Sequence, residues 1–200
     1  MKTKIAVLVS GGGTNLQALI DAQQSGIIKS GEIKLVISSK EGVYALTRAE
    51  NAGIDRLVIE RKGNPDFEKQ LIAALEENGI ELIILAGFMC ILSEEFTSRF
   101  ANRIINVHPS LIPSFCGAGF YGLRVHEAAL EYGVKVTGAT VHFVNEIPDG
   151  GKIIFQKAVE IKEGDTPEVL QRRVMEEAEW KILPAAAEKV SYDIMKSKGN

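Results

Sequence analysis

"KIAVLVSGGGTNLQALI", residues 4 to 20, decides how the rest of this chain is read. Ile5 to Val9 are apolar without the alternation of a half-exposed strand, so a strand covered on both faces is expected. Gly11, Gly12 and Gly13 then lead into an amphipathic helix that begins near Asn15 and ends around Ser25-Gly26. The same strand-then-helix pattern repeats downstream. "IKLVISS" (33–39) precedes a helical stretch near 42–52 closed by Gly53, and "RLVIE" (56–60) precedes "PDFEKQLIAALEENG" (65–79). Pro65 and Gly79 punctuate that helix as expected. "ELIILAG" (81–87), a short helix at 93–100 and "RIINV" (103–107) complete the series. The fold class that follows is α/β: a Rossmann-like, mainly parallel twisted sheet flanked by helices.

The second half changes character. "GVKVTGATVHFVNEIPDGGKIIFQKAVEI" (133–161) reads as two strands around a turn at Pro148-Asp149-Gly150-Gly151, an antiparallel C-terminal extension of the sheet. "TPEVLQRRVMEEAEWKILPAAAEKV" (166–190) is a long helical pattern with Thr166 as N-cap, and Pro184 is expected to kink or end it. "SFCGAGFYGLR" (114–124) is the one loose-looking segment, a movable loop over a site or a surface excursion.

Bulk composition narrows the function classes. With 200 residues, 46% hydrophobic and 24% charged, the chain has ordinary globular composition and can bury a substantial core as one domain, 1–200. A net charge of −3 gives no reason to expect nucleic acid. Cys90 and Cys116 with His108, His126 and His142 form no zinc spacing, and a disulfide framework is not expected, so no metal is assigned. The opening apolar run is too short for a membrane span, no cleavage site follows it, and cytoplasm is the expected compartment.

The glycine triplet lets backbone amides approach an anion at a helix N-terminus, and Thr14 and Asn15 add side-chain donors, so phosphate is favoured over an empty turn. A dinucleotide fingerprint fails because Leu16 stands where a third glycine is needed and Ser38-Ser39-Lys40 replaces the acid. A Walker loop fails for want of a lysine. In "IINVHPSLIPSF" (104–115) the apolar run stops at Asn106, and His108 is followed by Pro109 and Pro113, which restrict the backbone. Alternate residues of a strand share a face, so Asn106 and His108 can present an amide donor beside an imidazole. Asp149 is sufficient as a turn residue, but near His108 it would raise the imidazole pKa. His142 reads as a sheet or supporting residue, His126 as a surface or capping residue, and Cys116 as no nucleophile.

These segments, taken in order, resemble the folate-dependent phosphoribosylglycinamide formyltransferase (glycinamide ribonucleotide transformylase) family over essentially the whole chain. "SGGGTNLQALI", "LAGFMCIL", "NVHPSLIPSF", "TGATVHFVNEIPDGGKII" and "GDTPEVLQRRV" carry the resemblance. It implies a single formyltransferase domain, with 1–107 as the phosphate-binding α/β half and 108–200 as the folate and catalytic half. It implies Asn106, His108 and Asp149 as catalytic, with Gly13, Thr14, Asn15 and Glu179 binding the substrate. The folate side falls on Met89, Cys90, Ile91 and Leu92, used largely through backbone, and on Asn106. The implied reaction is formyl transfer from 10-formyltetrahydrofolate to the amine of glycinamide ribonucleotide, with no metal, in a monomer or homodimer. On that reading the strand stops at Asn106 because the formyl group reacts there.

Three departures from the family pattern stand out. Cys90 replaces a common arginine, leaving Arg61 or Lys62 as nearby cations for folate's acidic tail. The 114–124 loop is longer than usual, with Cys116 where proline is common. Trp180 follows Glu179 in place of a frequent histidine. Formyltetrahydrofolate deformylase, a hydrolase with a similar Asn-His-Asp set, is the nearest rival. It carries an additional N-terminal domain, and the first strand here begins at residue 4. A non-catalytic nucleotide-binding sensor would explain the glycines but not Asn106, His108 and Asp149 together.

Overall fold

The computed structural model describes residues 1–198. It runs β1 (Thr3–Val9), α1 (Thr14–Gln24), β2 (Gly31–Ser38), α2 (Tyr44–Asn51), β3 (Asp55–Val58), α3 (Phe67–Glu77), β4 (Leu82–Leu85), α4 (Glu94–Arg99) and β5 (Ile104–His108). Then follow α5 (Leu123–Tyr132), β6 (Val136–Phe143), β7 (Ile153–Glu160), α6 (Pro167–Val174), a π-helical turn (Met175–Glu179) and α7 (Trp180–Ser197). The strands form one seven-stranded sheet in the order β3-β2-β1-β4-β5-β6-β7. β1 to β5 pair in parallel, and β6 and β7 add the antiparallel edge. The α/β class and the antiparallel extension expected from the apolar patterning are both present.

The continuous apolar run of β1 has a direct physical reason. Ile5, Val7 and Val9 point into a core shared with Leu16 and Leu19 of α1 and with Leu183 and Ala187 of α7. Ala6 and Leu8 point the other way, into a core with Phe67, Leu71 and Leu75 of α3 and Phe96 of α4. Each face of the strand therefore meets a helical layer, and burying a side chain such as Leu8 contributes about 1.5–3 kcal/mol.

Strand order reverses direction at β1. The chain proceeds from β1 outward through β2 to β3, then returns to place β4 on the opposite side of β1. Such a switch point leaves a crevice beyond the carboxyl ends of the strands, where ligands of open α/β sheets bind. Both the glycine triplet after β1 and the 86–92 segment after β4 border that crevice.

One expectation needs correction. β5 does not stop at Asn106. Its parallel ladder with β4 ends there, at Leu85 opposite Asn106. The antiparallel ladder with β6 carries the strand on to His108 opposite Thr140. Running on past the end of β4 while still paired with β6 is what brings this segment to the crevice. Of the two outcomes expected at Pro184, the helix does not end there: the proline lies inside α7, with a π-helical turn upstream. A proline cannot supply the amide that the preceding turn would use, and a widened turn directly before it accommodates the loss. The expected N-cap is present: Thr166 Oγ1 accepts from the Val169 amide at 3.3 Å, with Pro167 in the first turn.

Candidate active site

A cavity of about 750 Å³ occupies the crevice, lined by the glycine triplet, segment 85–92, Asn106 to Pro109, the 117–122 loop, the Asp149 turn and the π-helical turn. At one end, Gly13 sits at the N-cap of α1 with φ 74°, and no side chain caps the helix. The first amides of α1 therefore have no capping side chain. A Cβ on Gly13 would lie 2.7 Å from the Ala45 Cβ, so the turn is held against α2 as well as left-handed. Gly13→Ala is expected to cost about 1–3 kcal/mol of stability, read by chemical denaturation.

Asn15 is not directed at a phosphate by its side chain. Its Nδ2 donates to Glu179 Oε2 at 2.7 Å, joining α1 to the π-helical turn across 164 positions of sequence. Thr14 is exposed at the mouth.

At the centre, β5 and β6 bring four groups together. Asn106 lies opposite His142 in the ladder, and Asn106 Nδ2 is 3.3 Å from His142 Nε2. Asp149, at φ 56° in the turn after β6, places Oδ1 3.5 Å from His142 Nε2 and Oδ2 3.5 Å from His108 Nδ1. The Gly117 amide donates to Asp149 Oδ2 at 2.8 Å. His108 Nε2 is 2.9 Å from the Phe115 carbonyl and His142 Nδ1 is 2.7 Å from the Phe143 carbonyl, so those nitrogens carry the hydrogens. Thr140 pins the chain after His108 by donating to the Ser110 carbonyl at 2.7 Å and accepting from the Ile112 amide at 3.1 Å. The Ile112–Pro113 peptide within this segment is cis.

Charge in this cluster is set by burial against pairing. Burial acts to raise the Asp149 pKa, but the His142 ring, the Gly117 amide and His108 outweigh it and hold the carboxyl below its ordinary range. His108 shows the reverse balance. Asp149 and the Phe115 carbonyl pull its pKa up, as anticipated for the carboxylate, yet burial is the larger effect and the net direction is down. The expectation of a raised pKa is therefore corrected. His108 rests neutral at pH 7, with Nε2–H on Phe115 and a bare Nδ1 facing Asp149 beyond hydrogen-bond reach.

A sequence model of the family described as "Formyl transferase" matches residues 3–187. This chain belongs to the formyl transferase family. It is 49% identical over 193 residues to the trifunctional purine biosynthetic protein adenosine-3 of Gallus gallus, covering 95% of this chain but 18% of that protein. It is 44% identical over 184 residues to the phosphoribosylglycinamide formyltransferase of Haemophilus influenzae, covering 90% of this chain and 84% of that one. The crystal structure of glycinamide ribonucleotide transformylase 1 from Symbiobacterium toebii superposes with a TM-score of 0.89 at 42% identity, covering 96% and 89% of the two chains.

Within this formyl transferase chain, the remaining sequence-nominated residues fall as follows. Met89 and Ile91 are exposed at the cavity, Cys90 is half-buried and Leu92 is buried. The Met89 amide donates to Ser10 Oγ at 3.0 Å, which ties the segment to the end of β1. Burial pushes the Cys90 thiol up, and the cations that oppose it are Arg61 and Lys40. Of the two basic residues nominated nearby, Arg61 is the one within electrostatic range of Cys90, joined by Lys40 rather than Lys62. Cys116 is held up by burial and by Asp149, and its thiol donates to the Pro113 carbonyl at 3.3 Å. Among the described residues, no group of three His, Cys, Asp or Glu could hold a metal, and no helix is long and apolar enough to cross a membrane.

One histidine expectation is corrected, whereas His142 lies in β6 as the sheet residue expected. His126 is neither surface nor cap. α5 begins at Leu123, and His126 faces inward with Val125 and Ala129, fully buried on the cavity wall. Neither ring nitrogen has a partner among the described residues, and burial, with His108 adding to it, pushes its pKa down to about 4. The spacing Val125, His126, Ala129 was an available signal, because it marks one helix face. His142 is a member of the central cluster, which became visible only once β6 was paired with β5 in register.

Glu179 lines the cavity beside Asn15. It is buried, and desolvation pushes its pKa up to about 7 against the opposing Asn15 hydrogen bond. A carboxyl with a raised folded-state pKa stabilises most below its unfolded pKa, and that contribution is lost as pH rises through the folded value. Wild type should therefore lose stability between about pH 4.5 and 7 relative to Glu179→Gln, by on the order of 3 kcal/mol. Denaturant unfolding of both proteins at pH 5 and pH 8 checks this. Parallel pH dependences would show that Glu179 is already ionised when buried.

Proposed function

We propose that this chain, as a single cytoplasmic domain whose two halves both line the cleft, transfers the formyl group of 10-formyltetrahydrofolate to the amine of glycinamide ribonucleotide in de novo purine biosynthesis. The observation that carries the reading is that Asn106, His108, Asp149 and His142 line one cleft together with two regions of dissimilar chemistry. One region offers uncapped amides and Glu179, which suits a phosphorylated ribosyl acceptor. The other is an exposed, partly apolar rim at Met89 to Leu92, which suits a flat aromatic donor.

Residue roles follow from the hydrogen-bond directions. The acceptor amine attacks the formyl carbon, and negative charge develops on the formyl oxygen. Asn106 Nδ2 and the His108 Nε2–H, released from the Phe115 carbonyl, donate to that oxygen. The proton lost by the amine passes to the Asp149–imidazole cluster. It is returned to the folate nitrogen as the bond from that nitrogen to the formyl carbon breaks, so formylated acceptor and tetrahydrofolate leave with protons balanced. Arg61, with Lys40, takes over the anionic end of the donor that an arginine at position 90 would otherwise serve.

The test is an absorbance assay of tetrahydrofolate formation with and without glycinamide ribonucleotide. Turnover dependent on the acceptor supports the transferase. Turnover without it identifies a hydrolase, the deformylase reading, and tight nucleotide binding with no turnover identifies a sensor.

A further inference from the structure

α2 stands behind the glycine loop and takes part in no contact with the cavity, yet it controls which way the loop's peptides face. The Gly11 carbonyl accepts from the Ala45 amide at 3.2 Å, at the start of α2. The Gly12 carbonyl accepts from Arg48 Nε at 2.9 Å, and the Gly13 carbonyl accepts from the Gln17 amide at 2.9 Å. Arg48 is itself fixed: Nη1 donates to Gln17 Oε1 at 2.9 Å, and the guanidinium lies 4.8 Å from the centre of the Tyr44 ring. Arg48 borders a second groove that includes Gln17 and Trp180, and does not line the large cavity.

In a trans peptide the carbonyl and the following amide point in opposite directions. Drawing the Gly11 and Gly12 carbonyls toward α2 therefore turns the Gly12 and Gly13 N–H groups away from it. A Cβ built on Gly11 or Gly12 meets nothing within 4 Å, so the loop is uncrowded at these two residues. Among the described residues, no protein group accepts from the Gly12, Gly13 or Thr14 amides. A cation on the Gly12 carbonyl also polarises the Gly12–Gly13 peptide, which strengthens its N–H as a donor.

We propose that Arg48 is a positioning residue for the acceptor's phosphate, acting through the Gly12–Gly13 peptide without touching the ligand. This rests on the transferase reading above, in which the glycine loop receives that phosphate. A lysine at 48 keeps the charge but loses the rigid fork that serves Gly12 and Gln17 together, and a methionine keeps only the stem.

Steady-state kinetics of Arg48→Met and Arg48→Lys test it, with inorganic phosphate as a competitor of glycinamide ribonucleotide and a melting curve for each protein. Arg48→Met should raise the acceptor KM and weaken phosphate inhibition by about tenfold each, the scale of one charge-assisted hydrogen bond. The donor KM should stay within about twofold, and Arg48→Lys should fall between the two proteins. Unchanged acceptor KM and phosphate inhibition, or both substrates' KM rising together with a fall in melting temperature, would overturn the proposal and leave Arg48 as a brace for α2. If wild type itself shows no acceptor-dependent turnover, the transferase reading fails first, which separates the two failures.

Discussion

His108→Ala is expected to lower kcat by about 10²–10⁴, with acceptor KM little changed. His108 sits at the end of β5, almost completely buried, held by the β6 ladder and the Phe115 carbonyl, with Asp149 facing its Nδ1. No other nearby group offers the same pair of functions. Asn106 can donate but cannot hold a proton, and the Nδ1–H of His142 is engaged by the Phe143 carbonyl. His126 is dry and depressed to about 4, so it does not substitute near neutrality. Single-turnover rates at saturating substrates give the measurement, and a melting curve separates a lost proton relay from a lost fold. A loss below tenfold would move the proton transfer to Asp149 and water alone. Because burial lowers the His108 pKa, the acid limb of the wild-type kcat/KM profile belongs below the ordinary imidazole value. Activity should fall as pH drops through it and the bare Nδ1 becomes protonated.

Asp149→Asn should be the second most damaging change, lowering kcat by about 10²–10³. The carboxylate stands between two imidazoles, 3.5 Å from each, and is the only anion in the cluster. Asparagine tolerates the left-handed backbone at this position and can still accept from the Gly117 amide, so the turn should keep its shape. What disappears is the charge that draws a proton toward His108. The acid limb of the rate profile should therefore move further down, together with the loss in kcat. Stability gives an independent check. Asp149 has a depressed folded-state pKa, so its contribution is present above the ordinary carboxylate pKa and is lost as pH falls through the folded value. The Asn variant should be less stable than wild type at neutral pH and approach it in acid. An unchanged rate profile with a changed stability would make Asp149 a turn residue only.

Much of the architecture was legible locally. A strand buried on both faces needs apolar residues in both registers, so Ile5 to Val9 could be assigned from composition alone, and the Pro and Gly punctuation bounded the helices. Asn106 and His108 could be paired because the period of a strand is two, a property of the backbone. The turn at Asp149 was equally plain, but its carboxylate was placed beside His108 only through resemblance to a family.

What the sequence by itself determined is the order of layers, the phosphate-suited turn after β1 and the shared face of Asn106 and His108. All of these depend on interactions within a few residues or on a repeating pattern. Tertiary structure decided what depends on long-range register and on solvent. The β5–β6 pairing made His142 a neighbour of Asn106, the π-helical turn carried Glu179 to Asn15, and the inward face of α5 dried His126. It also decided the sign of the His108 shift, because the attraction of one carboxylate is a local matter whereas desolvation is summed over every atom that surrounds the ring.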